Sequence, residues 1–161
     1  MGAGALITLG VAEFRAALPD GGGLLGLDLG TKTIGIATCD AGWSFATAGK
    51  TLPKRKFAAD FAVLATIIAE RGICGIVIGL PRNMDGSEGP RAQSSRAFAG
   101  NLQTATGLPV LLWDERWSTT SAERDMVGQD MSRRKRAVRI DSHAAAIILQ
   151  GAIDALAGGV L

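Results

Sequence analysis

One carboxylate inside a leucine run limits what this chain can become. Leu24, Leu25, Gly26, Leu27, Asp28 and Leu29 follow one another without a break. Read with period two, Leu25, Leu27 and Leu29 share one face of a strand, and Asp28 shares the other with Gly26 and Gly30. A charge within an apolar strand is costly unless it is paired, hydrogen-bonded or bound to metal. The flanking glycines are expected to leave space beside the carboxylate for a metal and a phosphate. Gly30-Thr31-Lys32 then turns the chain into a second strand, Thr33 to Cys39, and a third is expected around Ser44 to Thr51. Three apolar segments joined by short turns predict an antiparallel meander.

The pattern changes after the meander. Phe57, Phe61, Leu64, Ala65 and Ile68 recur at helical spacing through Arg71, and Gly72 ends that helix. Ile73 to Ile78 reads as a compact strand, Gly79 to Pro90 as a long polar loop, and Arg91 to Thr106 as a second helix. A strand at Val110 to Trp113 follows, and Thr120 and Glu123 have capping-box spacing before a short helix. Gly128 to Arg139 reads as a mobile basic loop, and Asp141 to Leu156 as the final helix. The order β-β-β-α-β-α-β-α-α predicts an α/β fold, a mixed five-stranded sheet with helices on both faces. A chain of 161 residues suits one such domain. Residues 24–161 are assigned to it. Residues 1–23 read as an appended extension, helical near Val11 to Leu18 and broken at Pro19, Asp20 and Gly21 to Gly23.

Two further acids stand at the edges of core elements. Glu115 follows the apolar run LPVLLW, and Asp141 opens RIDSHAAAIIL. Asp and Glu supply the hard oxygen ligands that phosphate-binding divalent cations such as Mg²⁺ or Mn²⁺ require. Asp28, Glu115 and Asp141 are therefore the candidate catalytic and metal-binding residues for phosphodiester hydrolysis. Each has a plainer reading: Asp28 as a turn cap or a partner of Lys32, Glu115 paired with Arg116 or Arg124, and Asp141 as a helix N-cap. Asp114 is a weaker candidate ligand, and Asp40 and Asp85 read as turn residues. His143 lies two positions from Asp141, across the helix, and need not face the same site. No serine gains a convincing base, so a hydrolase triad is unsupported. Cys39 and Cys74 lack ligand spacing and read as reduced core residues.

The formal charge of +2 is too small to signal nucleic acid, but its distribution does more. Arg133, Arg134, Lys135, Arg136 and Arg139 crowd together, and Lys54, Arg55 and Lys56 form a second patch. With Lys32 and Arg116, the longer cluster is the expected nucleic-acid-binding set. Trp117, beside Glu115, is a better candidate for stacking on bases than Trp43 or the core-like Trp113. The N-terminal apolar stretch has no basic leader, and the C-terminal one carries Gln150 and Asp154, so a cytoplasmic protein with no membrane partner is expected.

The motifs GLDLGTKTIGIATCD, VIGLPRNMDGSEG, LLWDERWSTTSAE and RIDSHAAAIILQ occur in that order, and together they resemble the YqgF/RuvX family. The resemblance spans about Leu24 to Leu156. It implies an RNase H-like fold and a metal-dependent nuclease, with the family's acids falling on Asp28, Glu115 and Asp141. Gly79, Leu80 and Pro81 would shape a loop near the active face, and Arg116 and Thr119 would support the second acidic motif. The family is described as Holliday-junction-resolvase-like and is linked to pre-16S ribosomal RNA processing. Maturation of the 5′ end of pre-16S rRNA is thus the first expectation, with structured ribosomal precursor RNA as partner. Cleavage of branched DNA as a Holliday junction resolvase is one alternative, and a non-catalytic nucleic-acid-binding ribosome-assembly factor is another. A monomer or weak homodimer is expected. The sequence departs from the family in having Lys32 where many relatives carry arginine, which keeps the charge but not the bidentate geometry. Trp117 stands where a smaller aliphatic residue is common. A sugar-kinase-like ATPase, suggested by Asp28 to Thr31, lacks room for the second domain such enzymes need.

Overall fold

A computed structural model describes residues 6–19, 21–117 and 133–158, with the side chains of all of these except 117, 133–142 and 158. The strands are β1 (Ile7–Thr8), β2 (Gly23–Leu29), β3 (Thr33–Cys39), β4 (Thr47–Pro53), β5 (Ile73–Leu80) and β6 (Val110–Asp114). The helices are α1 (Val11–Ala17), α2 (Phe57–Arg71), α3 (Pro90–Thr106) and α4 (Arg133–Gly158). A 3₁₀ turn, Glu115–Trp117, follows β6 directly.

The strands form one sheet in the order β1-β6-β5-β2-β3-β4. β2, β3 and β4 are the expected antiparallel meander, while β5 runs parallel to β2, β6 to β5, and β1 to β6. The central position of β5 explains its unbroken apolar sequence, because a parallel strand covered on both faces has no solvent side to mark with polar residues.

Helices cover both faces. Leu25, Leu27 and Leu29 pack with Leu64 of α2 and with Phe98 and Leu102 of α3. On the other face Leu24, Val77, Leu111 and Trp113 meet Ala145, Ile148, Leu149, Ala152, Ile153 and Leu156 of α4. Those α4 positions repeat at three and four residues, the spacing that gives a helix one buried stripe.

Several expectations are corrected. The sheet has six strands rather than five, because Ile7 and Thr8, in the segment read as an extension, pair with Val110 and Leu111. Two residues are too few to show a period. In the same segment Phe14 of α1 is fully buried among α4-side core residues. β4 begins at Thr47 and runs to Pro53, later than expected, because its pairing with β3 ends at Thr38↔Thr47. Residues 133–139, expected in a loop, begin α4 instead. Arginine and lysine are good helix formers, so a basic run need not be a loop. The short helix expected after Thr120 and Glu123, and the loop from Gly128 to position 132, lie outside the described residues.

Gly26 does not provide the expected free space. A Cβ there would lie 2.7 Å from Leu149 Cβ and 3.3 Å from the Ala145 carbonyl oxygen. The missing side chain lets the α4 backbone descend onto β2. Its role is to seat the helix.

Candidate active site

The site is built where β2, β5 and β6 end. Asp28, the penultimate residue of β2, is only 1% exposed. Leu27 pairs with Ile78, so the next position on β5, Gly79, lies beside Asp28, roughly 5 Å away at the usual strand spacing. Both occupy the α4 side of the sheet. Glu115 enters from the third strand, since the 3₁₀ turn after β6 carries its side chain back over Gly79. A Cβ on Gly79 would lie 2.9 Å from Glu115 Oε2 and 2.6 Å from Ile148 Cδ1. The absence of that Cβ is what allows a carboxylate to rest against the strand.

The backbone of α4 brings the third acid toward this end. Ala145 and Leu149 lie against Gly26, and Ile148 lies against Gly79. Gln150, further along, bonds to Ala46 N at 2.8 Å in the β3–β4 connection. Leu156 accepts a bond from Arg15 Nη1 at 2.8 Å. The helix therefore leads back, turn by turn, toward the carboxyl ends of β2 and β5, with Asp141 one turn before Ala145. The Asp141 side chain lies outside the description. Among the described residues no group of three or more His, Cys, Asp and Glu forms a metal cage. Glu115 rests on Gly79 and Asp28 stands on the neighbouring strand, so two hard-oxygen donors of the kind that suits a divalent cation lie at the same end of the sheet.

Asp114 has a different task. It pairs with Leu80 and so points to the α3 side, away from Asp28. It accepts bonds from Arg116 Nη2 at 2.7 Å and from the Arg116 backbone N–H at 3.0 Å, and Arg82 Nη1 approaches to 3.4 Å. Burial pushes its carboxyl up, but the Arg116 bonds and the charges of Arg116 and Arg82 outweigh that and hold it below the usual carboxylate range. Arg116 also reaches the Met84 carbonyl at 3.4 Å, and Glu88 binds Arg96 at 2.6 and 2.7 Å. The 81–89 loop is thus tied to the residues around Glu115. Direct metal ligation by Asp114 is replaced by a structural clamp.

A family model described as "RuvX: Holliday junction resolvase" matches residues 22–155. The chain belongs to the RuvX family. A protein of Novosphingobium aromaticivorans, provisionally named a pre-16S rRNA nuclease, is 66% identical over 95% of this chain and 98% of its own length. A Sphingopyxis alaskensis protein with the same name is 61% identical over 94% and 99%. Among solved structures, Thermus thermophilus RuvC in complex with Holliday junction substrate superposes with a TM-score of 0.56 at 13% identity, covering 86% of this chain and 98% of its own. A yeast mitochondrial Holliday junction resolvase gives 0.52 at 13% identity, covering 91% and 84%. These two likenesses establish an RNase H-like fold.

The remaining candidates divide clearly in this RuvX chain. Lys32 is exposed on the β2–β3 turn. Arg116 is committed to Asp114, so its guanidinium is less available than the sequence suggests. Arg133, Arg134, Lys135, Arg136 and Arg139 share the first turns of α4 with Asp141. Trp113 is core, and Trp43 is fixed by a 2.7 Å bond from its Nε1 to the Gly22 carbonyl. The side chain of Trp117, and Thr119 and Arg124 as a whole, lie outside the described residues. Asp40 and Asp85 are turn residues: Gly42 N–H and Ser87 N–H bond their Oδ1 atoms at 3.0 and 2.9 Å. Cys39 and Cys74 are buried free thiols, pushed up by that burial. One acid was missed. Asp60 is 1% exposed and accepts the Arg55 backbone N–H at 3.1 Å, closing the entry to α2. Its place in the first helical turn was the available signal.

Proposed function

We propose that this chain is a metal-dependent endonuclease that hydrolyses phosphodiester bonds in the precursor of 16S rRNA, maturing its 5′ end. The observation that carries the reading is the seating of the Glu115 carboxylate on Gly79, beside the buried Asp28. Carboxylates gathered at one end of a sheet repel each other, and a divalent cation between them would relieve the conflict. The names borne by relatives at 66% and 61% identity direct the substrate choice to pre-16S rRNA.

In this proposal Asp28 and Glu115 hold Mg²⁺ or Mn²⁺, with Asp141 as the third ligand. The bound cation supplies charge neutralisation at the phosphate and a more acidic water. The protein fixes Asp28 on a rigid strand and Glu115 against a glycine, so the ligands are positioned before substrate arrives. Hydrolysis adds one water across one P–O bond. The oxygen of water joins phosphorus, the bond to the leaving oxygen breaks, and that oxygen takes up a proton. Lys32 and the basic start of α4 attract the strand by its phosphates.

The test is cleavage of end-labelled precursor 16S RNA with Mg²⁺ or Mn²⁺, beside Asp28→Asn protein at equal concentration. Site-defined cleavage that requires metal and is lost in the variant is expected. Equal cleavage by the two proteins would refute the assignment. Binding without cleavage by folded wild-type protein would turn the reading to an assembly factor. The family description also favours a second reading, cleavage of a four-way DNA junction, which calls for two sites presented by a symmetric dimer. The same preparation tested on a synthetic junction separates the two substrates.

A further inference from the structure

We infer that a cavity on the α3 side of the β2–β3 turn binds a backbone phosphate of the nucleic-acid strand, next to the phosphate that is cut. The cavity holds about 270 Å³ and is lined by Thr31, Lys54, Arg91, Ser94 and Ser95 together with the end of β2. None of its lining residues is acidic. Among the described residues neither Lys54 nor Arg91 has a carboxylate partner. Arg91 Nη2 donates to the Leu29 carbonyl at 3.2 Å, which fixes the guanidinium at the end of β2 and leaves its other N–H groups to the cavity. Lys54 comes from the far side of the turn, where its backbone N–H bonds the Lys32 carbonyl at 2.8 Å.

Two cations from separate elements therefore face one space with no anion of the protein's own. The hydroxyl groups point the same way. Ser95 is 1% exposed yet lines the cavity, and no hydrogen bond among the described residues uses its hydroxyl. A bound oxygen would give that hydroxyl a partner. Thr31 and Ser94 add two more hydroxyl donors at the rim. Cations and hydroxyls around a small cavity with no acidic residue in its lining match a phosphate.

The position adds the substrate. Leu29, Gly30 and Thr31 follow Asp28 directly, but Leu29 faces α3 while Asp28 faces α4. A strand crossing the end of β2 would present one phosphate to Asp28 and Glu115 and a neighbouring one to Lys54 and Arg91. This relation to the cut phosphate rests on the nuclease reading above, but the binding itself does not.

Binding without metal keeps the two separable. Fluorescence anisotropy of a labelled single-stranded RNA dodecamer in EDTA would compare wild type with Lys54→Met, Arg91→Gln and Ser94→Glu. Lys56→Met, which removes an equally exposed cation outside the cavity, is the control. Charge-assisted bonds of this kind are worth about tenfold or more in affinity, so each cavity variant should weaken binding by about that factor and the control by much less. Ser94→Glu keeps both cations and the fold while placing a carboxylate in the cavity. A dodecamer series with one neutral methylphosphonate at each position then locates the contact. Wild type should lose affinity at one internal position that Arg91→Gln no longer senses. Equal losses in Lys56→Met and Lys54→Met, or methylphosphonate profiles that coincide in wild type and Arg91→Gln, would overturn the inference. So would an affinity loss that appears only when the dodecamer carries a 5′-terminal phosphate, because the cavity would then hold a chain end.

Discussion

Gly79→Ala isolates the seat of Glu115 from the rest of the fold. The new Cβ would lie 2.9 Å from Glu115 Oε2 and 2.6 Å from Ile148 Cδ1, where ordinary contact begins near 3.4 Å. The carboxylate oxygen must retreat by 3.4 − 2.9 = 0.5 Å and the isoleucine methyl by 3.4 − 2.6 = 0.8 Å. Both are ends of flexible side chains, so the backbone can stay in place. Overpacking of this kind costs about 1–3 kcal/mol. In a domain of this size that lowers Tm by roughly 2–4 °C per kcal/mol. The rate should respond more strongly, because a displacement of about 1 Å at a reacting centre can cost on the order of 100-fold. A fall of roughly tenfold to a hundredfold is expected in the single-turnover cleavage rate on precursor RNA under Mg²⁺. Glu115→Gln should be at least as slow, and adding Gly79→Ala to it should slow it little further, since both act through one carboxylate. Wild-type cleavage by folded Gly79→Ala would refute the reasoning, as would losses that simply multiply in the double variant.

Gly26→Ala should unfold more readily than Gly79→Ala, because its Cβ meets Leu149 Cβ at 2.7 Å and main chain at Ala145, so α4 itself must move. A thermal melt showing no greater loss than for Gly79→Ala would contradict that account. Phe14→Ala should cost about 3–5 kcal/mol by urea denaturation, as a fully buried aromatic does, and a neutral result would mean that the first segment stands outside the core. Asp114 titrates below its usual range in the folded state, so the unfolded chain binds its proton more readily. Its contribution is complete above the ordinary carboxylate pKa of about 4 and is lost as pH falls through the depressed folded value. Asp114→Asn should therefore be less stable at neutral pH and show a flatter acid limb in urea midpoints against pH, and parallel limbs would rule this out.

The elements with strong periodicity were legible from the sequence, and those fixed by partners were not. β3 and α2 appear with the expected ends, Thr33–Cys39 and Phe57–Arg71, because a turn or a glycine marks each boundary. At Gly72 the chain adopts φ 61° and ψ 44°, the left-handed conformation that stops a helix without strain. β1 was invisible because two residues carry no pattern, and what makes them a strand is β6. Gly26 was misread for a related reason. A glycine's sequence context shows that space is needed, but not whether a ligand or a helix will fill it. The basic run at 133–139 reads equally as a solvated loop and as an exposed helical turn, and only its continuity with the stripe from Ala144 to Leu156 decides between them.

Burial alone does not select the candidate catalytic acids. Asp28, Asp60 and Asp114 are 1%, 1% and 3% exposed, so the cost of burying a carboxylate is common to all three. Asp60 meets that cost with the Arg55 main-chain amide, and Asp114 meets it with two guanidinium groups. Each has a complete local explanation in folding. Asp28 differs in its neighbourhood, because Glu115 is carried over to Gly79 on the adjoining strand. Gathering negative charge at the end of a sheet works against folding, and Gly79 is shaped to permit it. Function is therefore argued better from the glycine that admits the second carboxylate than from the burial of the first.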